Sequence, residues 1–463
     1  MSDALDAATD GTTRAGTAAR EAGAILRLWL LGAVVTAITL ATPFVFRAGG
    51  DNYYMACAIA TGLVAMAATV AAERAPVRHA LLVIVGVAVS LRVVLVLGDP
   101  MLSDDVFRYV WDGRVQAAGI NPYRHVPADP ALATLRDSEI FPRINRADYA
   151  VTIYPPVAQM FFFLATRLGE SVTVMKLALL ACEAVTATMI VLLLMRLGRP
   201  PTRLVAYAWH PLPLWEIANS GHIDALMVAL MMLGIWLAVR GWPLRGVALI
   251  ALGALVKPFA VLAVPALWRP WDWKVPLAAV AVVALCYLPY LSVGWGVLGF
   301  LAGGYLDEEQ VVTGGGFWLL AVWRELFGVL SGDTVVYIAG SAAALAAVAW
   351  IVAHRRERTV ETTLADISTL IVMFLFLLSP NYPWYFLVAT PFVALRGGAP
   401  IWAMTIGALL LQEEVNWDGH VPVLIRESVH LGAFLLACAY VAWRSRQRGA
   451  AGPSPANERA HVR

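Results

Sequence analysis

The chain has 463 residues, of which 60% are hydrophobic and only 14% charged, and its mean hydropathy is +0.70. A soluble domain carries about 25% charged residues, so this composition excludes that class and marks an integral, polytopic membrane protein. Thirty-four basic against 32 acidic residues leave a net charge of +2, without the basic surplus that a nucleic-acid partner would require.

In chain order, residues 1–23 are Ala/Thr/Asp-rich and aperiodic and are expected to form a disordered cytoplasmic start. The apolar run Ala24–Phe46 is too long for a signal-peptide core and reads as an uncleaved first span. Spans near 53–72 and 78–97 follow. Residues 98–170 then form a loop too long to be a connector. In it, Leu102–Ala118 is predicted as a helix, "GINPY" as its stop, and residues 154–168 as a helix lying against the outer leaflet. Further spans are predicted near 171–196, 203–219, 222–239, 275–292, 334–353, 363–380, 384–396, 399–412 and 428–444. The run 245–268 has Lys257–Pro258 at its middle, where a continuous helix would lose a hydrogen bond and bury an ammonium. Two half-spans meeting at Lys257 solve both problems, and a single kinked span is the alternative. The expectation is an all-α fold of about 12 to 14 membrane segments over residues 24–444. The Gly/Pro/Arg-rich residues 445–463 would be a disordered cytoplasmic tail. Cys57, Cys182, Cys286 and Cys438 stand alone in apolar segments and lack metal-ligand or redox spacing.

Charge sorts the loops. If 245–268 is two half-spans, basic clusters at 74–78, 196–203, 240–245, 269–274, 354–358 and 444–448 fall on one side, which is then cytoplasmic. The opposite side collects Asp104, Asp105 and Asp112, the Ser220–Asp224 turn, and the segments 307–309, 379–385 and 412–420. The long loop therefore faces outward from the cell membrane. The sequence shows no internal repeat of the kind transporters carry.

"SDDVFRYVWDGRVQAAGINPY" (103–123) concentrates charge beside the membrane. Ser103 is placed to cap a helix whose first turn holds Asp104 and Asp105. Val106, Tyr109, Val110, Gly113 and Ala117 make one apolar stripe, while Asp105, Arg108 and Asp112 share the other face, with Asp104 in reach of Arg108. Acids that merely cap a helix and pair on a wet surface are one reading. The other is a general base, because paired carboxylates at a lipid interface can deprotonate a hydroxyl beside an anionic lipid.

This stretch resembles the first large outer loop of the GT-C glycosyltransferases, which take sugar from a polyprenyl-phosphate donor. Within that class the chain is most similar to the GT87/PIG-M-like mannosyltransferases. "TIYPPVAQMFF" (152–162), "SGHIDALMVALMML" (220–233), "LVKPFAVLAVPAL" (255–267) and "SPNYPWYFLVATPF" (379–392) carry the resemblance onward in order. Three predicted spans, rather than one, precede the loop, which departs from the usual pattern. The resemblance implies transfer of a hexose, mannose foremost, to a glycan or lipid acceptor at the outer face. In GT87-like members an Asp stands four residues before a Tyr; Asp105 and Tyr109 reproduce that spacing. The resemblance thus gives Asp105 the base role and Asp104 a supporting one.

Other charged residues inside apolar runs complete the candidates. Lys257, His222, Arg92 and Arg108 are candidates for the donor phosphate, and Asp224, Tyr109, Asp112, Trp384 and Tyr385 for the substrates. Each has a plainer reading: Lys257 snorkelling or pairing with Glu216 or Glu183, Arg92 snorkelling, Ser220 and Asp224 capping a helix, Trp384 and Tyr385 in an interface belt. No cofactor is fixed by the sequence, and a divalent cation near residues 305–310 stays open. A transporter or flippase of a lipid-linked sugar and an outer-leaflet transferase of another group are the rival functions.

Overall fold

The computed structural model describes residues 2–302, 304–412 and 423–450, and among them every regular element is helical. The acidic stretch 413–420 and the tail 451–463, both used in the sequence reading, lie outside the described residues. Helix α1 (Ser2–Gly49) already begins at Ser2, so the start expected to be disordered is helical. That stretch is rich in Ala, the strongest helix former, and has no proline. α2 (Asp51–Ala72) and α3 (Val77–Leu97) follow as expected.

Among the described residues, eight helices are long and apolar enough to cross a bilayer, or nine if one sharply bent pair counts as a span. Shorter apolar helices Pro383–Leu395 and Ala399–Leu411 stand where 384–396 and 399–412 were expected, Pro243–Ala254 and Pro258–Leu267 flank the break in 245–268, and the expected span 203–219 is not continuous. Prolines explain the difference. The expected span 203–219 is broken into a 3-10 turn, the four-residue α7 (Val205–Ala208) and a π-helical turn, Pro213–Asn219, where Pro211 and Pro213 supply no backbone N–H. At the other end, the predicted 275–292 span is α-helical over Lys274–Tyr287 and passes into a 3-10 stretch, Leu288–Ala302, that leaves helical geometry at Gly294 and Gly299; the short helix Trp318–Phe327, unforeseen in the sequence, lies further on.

Three features position the site. First, α4 (Asp105–Ala117) lies against α5 (Pro156–Leu168). Gly113 allows the contact, because a Cβ there would sit 2.5 Å from the Phe162 carbonyl oxygen. Tyr109 stacks on Phe162 at 4.5 Å and meets Tyr154 edge-on at 5.0 Å, ring pairs each contributing about 0.5–1.5 kcal/mol beyond area burial. α6 (Val172–Arg196) backs both helices.

Second, the π-helical turn and α8 (Asp224–Val239) meet at 116°. The chain reverses between them through Gly221, whose φ of 75° is one that side-chain-bearing residues seldom adopt. The His222 N–H donates back to the Glu216 carbonyl at 2.8 Å. Third, α9 (Pro243–Ala254) ends before Lys257, which is extended at φ −145° and ψ 140°, and Pro258 opens the next 3-10 turn. The half-span alternative for 245–268 is the one adopted.

Candidate active site

Asp105 is the first residue of α4, and its N–H donates to Ser103 Oγ at 3.2 Å. Its side chain is 18% exposed and reaches the open side of the loop. Oδ1 accepts a hydrogen bond from Asn145 Nδ2 at 2.7 Å, and Oδ2 lies 3.9 Å from His222 Nδ1. No Lys or Arg forms an ion pair with Asp105 among the described residues. Tyr109 and Tyr154 lie below it. Burial, reinforced by the charge of Asp105, pushes both phenols well above their ordinary range, so both stay protonated. Tyr109 Oη also accepts the Ile223 N–H at 3.4 Å, which ties α4 to the turn carrying His222.

A second group faces the same space. Lys257 Nζ is 2.6 Å from Asp224 Oδ2 and 4.9 Å from the centre of the Tyr385 ring. Asp224 is wholly buried, and its other oxygen has no hydrogen-bond partner. Tyr385 sits in the field of both Asp224 and Asp105. Lys257 opens onto a mostly apolar cavity of about 230 Å³, which Tyr154, Phe259, Tyr305, Glu309, Phe317 and Tyr385 help to line. Tyr305 and Tyr385 share a hydrogen bond through their hydroxyls. At the cavity edge, burial raises the Glu309 carboxyl above its usual range against the opposing pull of Tyr305, Arg146 and Lys257.

His222 and Glu216 form the floor. Both are fully buried, with His222 Nε2 3.3 Å from Glu216 Oε2. The imidazole stacks on Trp384 at 4.4 Å, and Tyr382 stacks on Trp384 at 4.5 Å. Two rings cannot lie this close to the same face of a third, so both faces of Trp384 are covered and neither is free to stack on a substrate. Its role is to hold His222.

The structure therefore gathers Asp105, Tyr109, His222, Asp224, Lys257, Trp384 and Tyr385, and places the other candidates elsewhere. Asp104 is the N-cap of α4 and points outward, 3.0 Å from Arg143. Arg108 does not pair with Asp104 on a wet face. It is buried, at 2.8 Å from Asp112, and donates to the Ala150 carbonyl, while Gln159 takes the second Asp112 oxygen at 2.9 Å. Both Arg108 and Asp112 are buried and paired with each other, away from the open end of the helix. Arg92 is held by Glu183 at 2.8 and 2.5 Å and by two backbone carbonyls, so it is no free phosphate ligand. No group of three or more His, Cys, Asp or Glu side chains clusters as a metal site among the described residues.

Asn145, Arg146, Tyr154 and Glu216 are site residues the sequence reading passed over or named only as partners. Glu216 carried a signal, being an acid inside an apolar run. Asn145 and Arg146 carried none, because they lie in irregular chain about 40 residues beyond Asp105.

Residues 55–271 match a family described as alpha-(1->6)-mannopyranosyltransferase, N-terminal domain. A Mycobacterium tuberculosis protein named alpha-(1->6)-mannopyranosyltransferase A is 27% identical over 351 residues, 67% of each chain. One of the same name from Corynebacterium glutamicum is 28% identical over 178 residues, 37% of this chain and 35% of that one. The chain is a GT-C glycosyltransferase. The family match takes in Asp105, Glu216, His222, Asp224 and Lys257 of this glycosyltransferase and stops short of Tyr305 and Tyr385. No solved structure matches the chain.

Proposed function

We propose that this glycosyltransferase moves mannose from a polyprenyl-phosphate donor to a glycan or lipid acceptor at the outer face of the cell membrane. Mannose comes from the names of the relatives. The outer face comes from the separation of basic and acidic loops in the sequence. One observation carries the chemistry. Asp105 is a partly open carboxylate with no ion-pair partner among the Lys and Arg residues described, and the half-buried Lys257 faces a mostly apolar cavity.

In this reading the acceptor hydroxyl gives its proton to Asp105 Oδ2 as its oxygen attacks C1 of the sugar. The C1–O bond to the lipid phosphate breaks on the opposite side, and its electron pair leaves with the phosphate, so the anomeric centre inverts. Lys257 stabilises the departing charge. Only one of its three N–H donors is engaged by Asp224, and the cavity it faces is mostly apolar, where a fixed positive charge acts strongly. The apolar wall of the cavity suits the first isoprene units of the donor. Asn145 fixes the Asp105 carboxylate so that its free oxygen faces the acceptor. Tyr109 and Tyr154 stay neutral and keep the site rigid.

The test is incubation of purified protein in lipid nanodiscs with polyprenyl-phosphate mannose and an alkyl α-mannoside, followed by mass spectrometry. A product heavier by one hexose, formed by the wild type and lost with Asp105→Asn, is the expected result. A near wild-type rate with Asp105→Asn would remove the base assignment. The broken helices at 213–239 and at Lys257 also occur in transporters. Labelled lipid-linked sugar crossing vesicles without covalent transfer would favour that reading instead.

A further inference from the structure

His222 and Glu216 hold the least satisfied polar atoms near the site. Neither ring nitrogen of His222 and neither oxygen of Glu216 has a hydrogen-bond partner, although both side chains are completely buried. Buried polar groups left in this state cost of order 1–3 kcal/mol each, more when charged, and such a cost persists where it serves a function. The imidazole bridges two carboxylates, one at each ring nitrogen: Asp105 Oδ2 lies 3.9 Å from His222 Nδ1, and His222 Nε2 lies 3.3 Å from Glu216 Oε2. Trp384 clamps the ring between the two carboxylates.

We infer that His222 and Glu216 form a proton relay behind Asp105, with Glu216 a positioning residue that sets the basicity of the pair. The inference rests on the base role proposed for Asp105. In the resting state the imidazole is neutral, its Nε2–H turned to the Glu216 carboxylate and its Nδ1 lone pair turned to Asp105. The acceptor proton arrives on Asp105 Oδ2 and passes to His222 Nδ1. Asp105 returns to its anionic form, and an imidazolium faces Glu216. The proton leaves by the reverse path through Asp105, which is open to solvent. No other group is consumed. A buried carboxylate whose one charged neighbour is an imidazole stabilises the imidazolium strongly. The 3.9 Å and 3.3 Å separations are those of a site without substrate, and catalytic hydrogen bonds tighten when substrate binds.

The other titratable groups around this pair are already committed. On α4, Tyr109 bonds the Ile223 amide. From α3 and α6, Arg92 and Glu183 neutralise each other, while Lys176 donates to the Leu95 and Gly98 carbonyls. Asp224 is held by Lys257, and Arg146 by Glu308. Glu309, at the cavity edge, bonds Tyr305.

The test is the pH profile of kcat for the purified full chain, with polyprenyl-phosphate mannose and an alkyl α-mannoside, for wild type, Glu216→Gln, Glu216→Asp and Asp105→Asn. Removing the Glu216 charge weakens the pair's hold on a proton, so the acid limb moves to lower pH. The expected outcome for Glu216→Gln is that shift, with the plateau of kcat about 10- to 100-fold lower and KM for the donor unchanged. Glu216→Asp keeps the charge and should restore the limb to its wild-type position. A lower plateau with an unmoved limb would mean that Glu216 only fills space, and the relay would be overturned while the base role stood. Full activity in Asp105→Asn would overturn both. Should Glu216→Gln not fold, His222→Asn reads the same limb from the other end of the pair.

Discussion

Two aspartates on α4, seven residues apart, have opposite fates. Asp112 is enclosed: Arg108 and Gln159 take its two oxygens, and its side chain is 2% exposed. Asp105, at the open end of the same helix, has one amide donor, a histidine just beyond hydrogen-bond distance, and no arginine. What separates structure from chemistry here is the supply of partners. A buried carboxylate paired with a guanidinium and an amide cannot accept a proton cheaply; one with no cationic pair in a partly open site can.

Substitutions at the two positions break the comparison in different directions. Asp105→Asn should lower kcat by about 10² to 10⁴, with thermal stability close to wild type, as read by steady-state transfer and a melting curve. Arg108→Met strands a buried carboxylate and should cost about 3–5 kcal/mol of stability, seen as lost yield and an earlier melting transition. Its activity per folded molecule should stay near normal.

Lys257→Met should come next in size. Losing the countercharge to the departing phosphate is expected to lower kcat about 100-fold and to leave Asp224 buried without its cation. Asp104→Asn should do little. Its pair with Arg143 is half-exposed, and such pairs contribute at most about 1 kcal/mol, so the rate should stay within about threefold of wild type. If Asp104→Asn instead matched Asp105→Asn, the acids would act as a unit and the comparison would have to be redrawn.

The smallest effect concerns the loop that carries Asn145. Burial alone would raise the Asp137 carboxyl, but the Ile140 and Phe141 N–H groups and the Arg114 guanidinium hold it below its ordinary range. A carboxylate with a depressed folded pKa stabilises the fold above its unfolded value, about 3.9, and loses that contribution as pH falls through the folded one. Amide protection in residues 139–141, taken relative to the intrinsic exchange rate, should therefore fall on acidification below about pH 4, and Asp137→Asn should remove the dependence.

Much of this was legible in the sequence because it was local. The helix that ends before Gly119–Pro122 and the break at Lys257–Pro258 depend on neighbours within a few residues, although the helix starts one residue later than a Ser103 cap would place it, with Asp104 at the N-cap. The membrane class followed from composition alone. The face of α4 did not. The i, i+4 spacing of Arg108 and Asp112 is as compatible with a wet surface as with a buried pair, and the groups that bury it, Ala150 and Gln159, arrive about 40 residues later. The covering of Trp384 by His222 and Tyr382 joins segments some 160 residues apart, and no periodicity announces it. The lone arginine in its span, Arg92, is held by Glu183 of another helix, about 90 residues away in sequence, which no local pattern announces.

The most direct measurement compares hexose transfer per folded molecule for Asp105→Asn and Asp112→Asn under identical conditions. A rate at least 100-fold lower in the first than in the second is the outcome expected from a base at the open end of α4. Equal rates, or a greater loss at Asp112, would contradict it.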